Sequence, residues 1–76
     1  MGKTYSVDIS TLKKVRKTER KNYEIISADV IYSETYENIT VIHARVNIIT
    51  EWDIRTGTEG AKKAIMEKFE KWINGE

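Results

Sequence analysis

Residues Tyr23–Ser33 and Ile39–Ile54 read as the two arms of a long β-hairpin with aliphatic side chains on both of its faces. Ile26, Ala28, Val30 and Tyr32 share one face of the first arm; Ile42, Ala44, Val46, Ile48, Trp52 and Ile54 share one face of the second. That period of two is the mark of a strand with a buried side. The opposite face carries Ile25 and Ile49 near the base and Ile31, Ile39 and Val41 near the tip. Between them lies a polar waist of Ser27, Asp29, His43, Arg45 and Asn47. A single helix follows, and a single helix covers a single face.

The arms are joined through Thr35-Tyr36-Glu37-Asn38. A three-residue loop, Tyr36-Glu37-Asn38, would put the required positive φ on Asn38, the residue best suited to it. This predicts Ile26 opposite Ile48, Ala28 opposite Val46, Val30 opposite Ala44 and Tyr32 opposite Ile42. On the other face it sets Asp29 against Arg45, Ser27 against Asn47 and Ile25 against Ile49, with His43 opposite Ile31. Such cross-strand pairs contribute about 0.2–1 kcal/mol each.

Ahead of the hairpin, Tyr5, Val7 and Ile9 alternate with Ser6, Asp8 and Ser10, which predicts a short strand. Thr11–Lys21 has two readings. Ser10 caps a short helix with Leu12 and Val15 on one side, or the segment runs as an extended arm. After the hairpin, Ala61, Ile65, Phe69, Trp72 and Ile73, with Ala64 and Met66 at the margins, form the stripe of an amphipathic helix over 57–74. Thr56 with Glu59 has capping-box form, Glu59–Lys63 and Glu67–Lys71 are spaced as favourable pairs, and Gly75 sits where a C-terminal cap belongs. Trp52 and Trp72 both fall on core stripes and are expected to pack together.

The predicted fold is therefore α+β and a single domain over 1–76: a basic segment 1–22, a β-hairpin 23–54 and the helix. Its three-stranded antiparallel sheet is dominated by the hairpin, with the helix on one face and an optional helix between the first two strands. A helix of this length spans roughly 25 Å at 1.5 Å per residue, whereas sixteen extended residues span about 50 Å. Leaving the outer aliphatics wet would forgo on the order of 10 kcal/mol, comparable with the whole stability of a small domain. Either the N-terminal segment folds across that face with Leu12 and Val15, or a second copy covers it or pairs along an edge. The expected partner is the chain itself, as a homodimer or higher, with Ile25, Ile31, Val41 and Ile49 at the interface.

The net charge of +1 conceals a division, +5 over residues 1–22 and −4 over the remainder. Lys13, Lys14, Arg16, Lys17, Arg20 and Lys21 put six positive charges into nine residues, and Tyr23 follows with a ring that could stack on a base. This run is a candidate contact to DNA or RNA; its plainer reading is a solvated connector that keeps the protein soluble. The alternative class is a protein-binding inhibitor, adaptor or assembly subunit acting through the free sheet face or edge.

Catalysis has little to stand on. There is no cysteine, and His43 is the only histidine, whereas metal sites need several ligands at set spacing. Glu34, Glu37, Glu51 and Asp53 supply no pair of carboxylates in contrasting environments. Thr56-Gly57-Thr58-Glu59-Gly60 lacks the lysine of a phosphate-binding loop, and its glycines read as turn residues. Asn38-Ile39-Thr40 is a chance match to a glycosylation acceptor. The expectation is a protein that is not an enzyme, with no cofactor, metal or small-molecule substrate. No apolar stretch approaches a membrane span and residues 1–20 lack a signal-type apolar region, so a cytoplasmic location is expected.

Overall fold

A computed structural model describes residues 2–75. It contains β1 (Gly2–Lys17), β2 (Tyr23–Tyr36) and β3 (Ile39–Asp53), then a 3₁₀ turn over Ile54–Thr56 and α1 (Gly57–Ile73). The strands form one antiparallel sheet in the order β1-β2-β3. The α+β architecture read from the sequence is the observed one.

The segment after Ser10 takes the extended alternative, and the optional helix is absent. Ser10 caps nothing. Its backbone N–H and its hydroxyl both donate to Asp8 Oδ1, at 3.2 and 2.6 Å, turning the chain out of register after Asp8. Thr11 Oγ1 closes the gap by donating to the Asp8 carbonyl at 2.7 Å and accepting from Asp29 N at 2.7 Å. With the Asp8 carbonyl and the Asp29 N–H thus paired, β1 resumes at Lys13 opposite Ser27. Leu12 turns to the helix side and packs on the core, so the N-terminal segment does not fold across the outer face.

The hairpin register corrects the expectation in an instructive way. The loop has two residues, Glu37 and Asn38, and the positive φ falls on Glu37 at 46°. An extra residue, His43, is inserted in β3 between Ile42, opposite Ser33, and Ala44, opposite Tyr32. Below this bulge the ladder is displaced by two from the predicted one: Ala28 lies opposite Ile48, Val30 opposite Val46 and Asp29 opposite Asn47. A shift of two leaves every side chain on its expected face. Above the bulge the shift is one, and the faces exchange. Val41 and Ile39 now lie opposite Glu34 and Tyr36 on the helix side, and Ile42 passes to the outer side.

The core is Ile26, Ala28 and Val30 from β2, Ile48 from β3, and Ala61, Ile65 and Phe69 from α1, flanked by Val7, Leu12, Val46, Trp52 and Met66. Each large aliphatic buried this way stabilises the fold by about 1.5–3 kcal/mol. The stripe ends at Phe69: Trp72 is 61 % exposed, and Ile73 is also exposed. The two tryptophans do not meet. Trp52 Nε1 donates to the Gly57 carbonyl at 3.0 Å at the start of α1, and Trp72 packs edgewise on Phe69 near its end. The capping box does not form either, because Thr56 Oγ1 donates to the Asp53 carbonyl at 2.6 Å. A Cβ on Gly60 would overlap the Thr56 side chain, so Gly60 is kept small by packing rather than by a turn. On the wet side the ion pair is Lys62–Glu59 at 3.7 Å, in place of the two predicted four-residue spacings. Gly75, at φ 77°, does close the helix. Roughly 25 Å of helix lies on a molecule whose longest dimension is 46 Å, so the hairpin tip projects well beyond it.

Candidate nucleic-acid interface

Strand alternation divides the basic run between two faces. Lys13, opposite Ser27, and Arg16, opposite Ile25, project from the outer face; Lys14, opposite Ile26, and Lys17, opposite Glu24, project from the helix side. Lys14 Nζ sits 3.5 Å from Glu24 Oε1, which has no hydrogen-bond partner among the described residues. Arg20 is also engaged. It donates to Glu51 Oε1 at 2.8 Å, and its guanidinium lies 3.7 Å above the Tyr23 ring. One face of Tyr23 is thus taken by a cation–π contact. Lys13, Arg16, Lys17 and Lys21 are exposed and have no carboxylate partner among the described residues.

The turn that carries the run is firmly built. Thr18 Oγ1 donates to the Tyr23 carbonyl at 2.8 Å and accepts from Arg20 N at 3.2 Å, and Tyr23 N donates to the Arg20 carbonyl at 3.2 Å. Asn22 supplies the left-handed residue at φ 68°, and its carbonyl accepts from Ile54 N at 2.9 Å, tying the turn to the end of β3. Lys17, Arg20 and Lys21 line an open hollow of about 290 Å³ together with Thr18, Tyr23 and the carboxylates Glu19 and Glu24. Chemically this corner offers ammonium and guanidinium groups to an anion on a turn held by its own hydrogen bonds.

The outer face carries the expected polar waist, rearranged. Arg45 NH1 donates to Asp8 Oδ2 at 2.8 Å and Asp29 Oδ2 at 3.1 Å, and Asn47 Nδ2 donates to Asp29 Oδ1 at 3.0 Å. The Arg45 and Ser10 hydrogen bonds hold the Asp8 carboxyl below its ordinary range; for Asp29 the Asn47 bond comes first and Arg45 second. Of the predicted interface residues, Ile25 and Ile31 are half-buried, Ile49 is 53 % exposed, and Val41 lies on the other face. Ile42, 59 % exposed, takes its place.

His43 is not on the outer face. As the bulge residue it reaches to the helix side, its ring packed on Tyr32 and Nε2 3.5 Å from Glu34 Oε1. Glu34 also accepts hydrogen bonds from the hydroxyls of Tyr36 and Tyr32, which hold its carboxyl below the usual range and push both phenols up. The ladder of rings continues through Tyr5 to Phe69. Alternation of Tyr32, Glu34 and Tyr36 on one face was the available signal for this cluster. Asp53 lies opposite Tyr23 and pairs with Arg55, whose Nε and NH2 donate to it at 2.9 and 2.7 Å. Among the described residues no group of His, Asp and Glu side chains could hold a metal ion, and no helix is long and apolar enough to cross a membrane. No protein-family model, curated protein or solved structure matches this chain.

Proposed function

We propose that this protein is a non-enzymatic binding module, acting as a homodimer, that holds the phosphate backbone of DNA or RNA on the corner formed by the end of β1 and the turn to β2. One observation carries the reading: Lys13, Arg16, Lys17 and Lys21 stand exposed and unneutralised beside a turn pinned by its own hydrogen bonds. Cations held ready in this way release counterions when phosphates replace water around them. Arg20, Lys14 and Tyr23 contribute less directly, being committed to Glu51, Glu24 and Arg20. The split of the run over two faces favours wrapping an edge over reading a groove, so the contacts go to phosphate and carry little sequence preference.

The test is a titration of a mixed-sequence oligonucleotide at two salt concentrations. Affinity should fall steeply with salt. Replacing Lys13, Arg16, Lys17 and Lys21 by Glu should remove both binding and the salt slope, at about one unit of slope for each phosphate no longer neutralised. Binding that ignores salt, or survives the fourfold reversal, overturns the reading. A second reading, a protein-binding inhibitor, adaptor or assembly subunit, is favoured by the exposure of Ile42 and Ile49 on the outer face. It predicts the opposite pattern, with partner binding untouched by the reversal and lost on changing those two isoleucines to Asp.

A further inference from the structure

The two edges of this sheet are not equivalent. The β1 edge carries Lys13, Lys14, Arg16 and Lys17 and breaks register twice, between Asp8 and Lys13 and between Lys14 and Arg16. Charges and irregularities of this kind keep other strands away. Below its bulge the β3 edge has no such irregularity, and its charges, Arg45, Glu51 and Asp53, are mixed in sign rather than uniformly basic. From Ala44 to Asp53 it stays in unbroken register with β2, and it contains no proline and no lysine. A regular edge of ten residues presents about 33 Å of unpaired backbone donors and acceptors, a template for another strand.

We infer that β3 pairs with β3 of a second copy, antiparallel about a two-fold axis at Ile48, to make a six-stranded sheet with both helices on one face. This names the surface for the homodimer proposed above and uses residues separate from the basic corner. The second copy is the occupant because the edge complements itself. About that axis Arg45 lies opposite Glu51 of the second copy, Asn47 opposite Ile49, Val46 opposite Thr50 and Ala44 opposite Trp52, each pair occurring twice. Opposite charges directly across an antiparallel pair are favourable. Both are already paired inward, Arg45 through NH1 with Asp8 and Asp29 and Glu51 through Oε1 with Arg20, so the contact across the edge falls to Arg45 NH2 and Glu51 Oε2.

The helix flank agrees with the edge. Ala64, Glu67, Lys68 and Lys71 border an open polar hollow beside Thr50 and Glu51 of β3, and neither Glu67 nor either lysine has an ion-pair partner among the described residues. The same two-fold runs the two helices antiparallel, with Ala64 permitting close approach and Glu67 of each set against the lysines of the other. A shift of the pairing by one residue would put the helices on opposite faces. Shifts of two keep the faces, and the register test separates them.

The first measurement is solution mass without nucleic acid, so that its outcome is independent of the basic corner. Twice the chain mass of 8.9 kDa is expected, and 8.9 kDa at every concentration overturns the proposal. The second uses the absence of native cysteine. Asn47→Cys and Ile49→Cys chains, both altered at exposed positions, are oxidised separately and after co-expression. Opposed residues in an antiparallel pair lie within disulfide reach. Only the co-expressed chains should yield a disulfide-linked dimer. Cross-linking of Asn47→Cys alone or Ile49→Cys alone places the axis at a neighbouring residue and overturns the Arg45–Glu51 pairing. A dimer that cross-links in none of the three has its interface elsewhere, which overturns the edge.

Discussion

Ser27 shows how a single side chain can sit at odds with its surroundings. It is 2 % exposed on the outer face of β2, between Lys13 and Ile49 in the ladder, and its Oγ has no hydrogen-bond partner among the described residues. A hydroxyl desolvated without a partner costs about 1–3 kcal/mol. Ser27→Ala removes that burden and leaves a void of only one oxygen. The variant should be as stable as the parent or about 1 kcal/mol more so in urea denaturation; a loss of stability would mean that the hydroxyl is satisfied after all. Thr11 is the contrast: its Oγ1 is both donor and acceptor, and it holds together the longer of the two places where β1 leaves the ladder.

At the scale of elements, the cluster of Asp8, Arg45, Asp29 and Asn47 ties all three strands together on their outer face. Both carboxyls have folded values below the ordinary 3.8, through hydrogen bonds from Arg45, Ser10 and Asn47. The unfolded chain therefore takes up protons first as pH falls. The stabilisation is fully present above the unfolded range and is lost as pH drops from about 3.8 through the lowered folded values. Arg45→Met should lower the melting temperature at neutral pH and flatten this acid limb; an unchanged limb would show that the cluster contributes nothing. The sequence disclosed which residues share faces, because period two in Ile26, Ala28 and Val30 and the helical stripe of Ala61, Ile65 and Phe69 are direct records of burial. It did not disclose register, because the displacement of two below the bulge preserves every face there, and the loop at Glu37 and bulge at His43, which exchange the faces above it, leave no mark in the pattern. The length of β1 was hidden for another reason: Ser10 looks like a helix cap until Asp8 is seen to take its donors. The charges of the candidate interface were legible as a run, but their division over two faces required the strand, and the commitment of Arg20 to Tyr23 and Glu51 required the fold.

At the scale of the whole molecule, the proposed dimer fixes how far apart its two basic corners lie. Six strands side by side separate the outer strands by about 24 Å at 4.8 Å per spacing. Lys13 lies level with Ile49, but the turns that carry the rest of each corner lie near the level of Asp53, five residues from the axis on either side, which adds about 33 Å along the strands at 3.3 Å per residue. The diagonal is then roughly 40 Å, or about 12 base pairs of duplex at 3.4 Å each. A duplex shorter than this reaches one corner only; a longer one is able to engage both, and the second contact then forms at high effective concentration. Affinity should therefore step upward with duplex length, by more than the number of added sites accounts for, once the length passes roughly 12 base pairs. The double variant Asn47→Lys, Ile49→Lys would set like charges across the two-fold, and should remain monomeric and climb with length only in proportion to the sites added. Should parent and doubly substituted chains show the same length dependence while differing in mass, the two corners act separately, and the dimer serves some purpose other than bridging a single duplex.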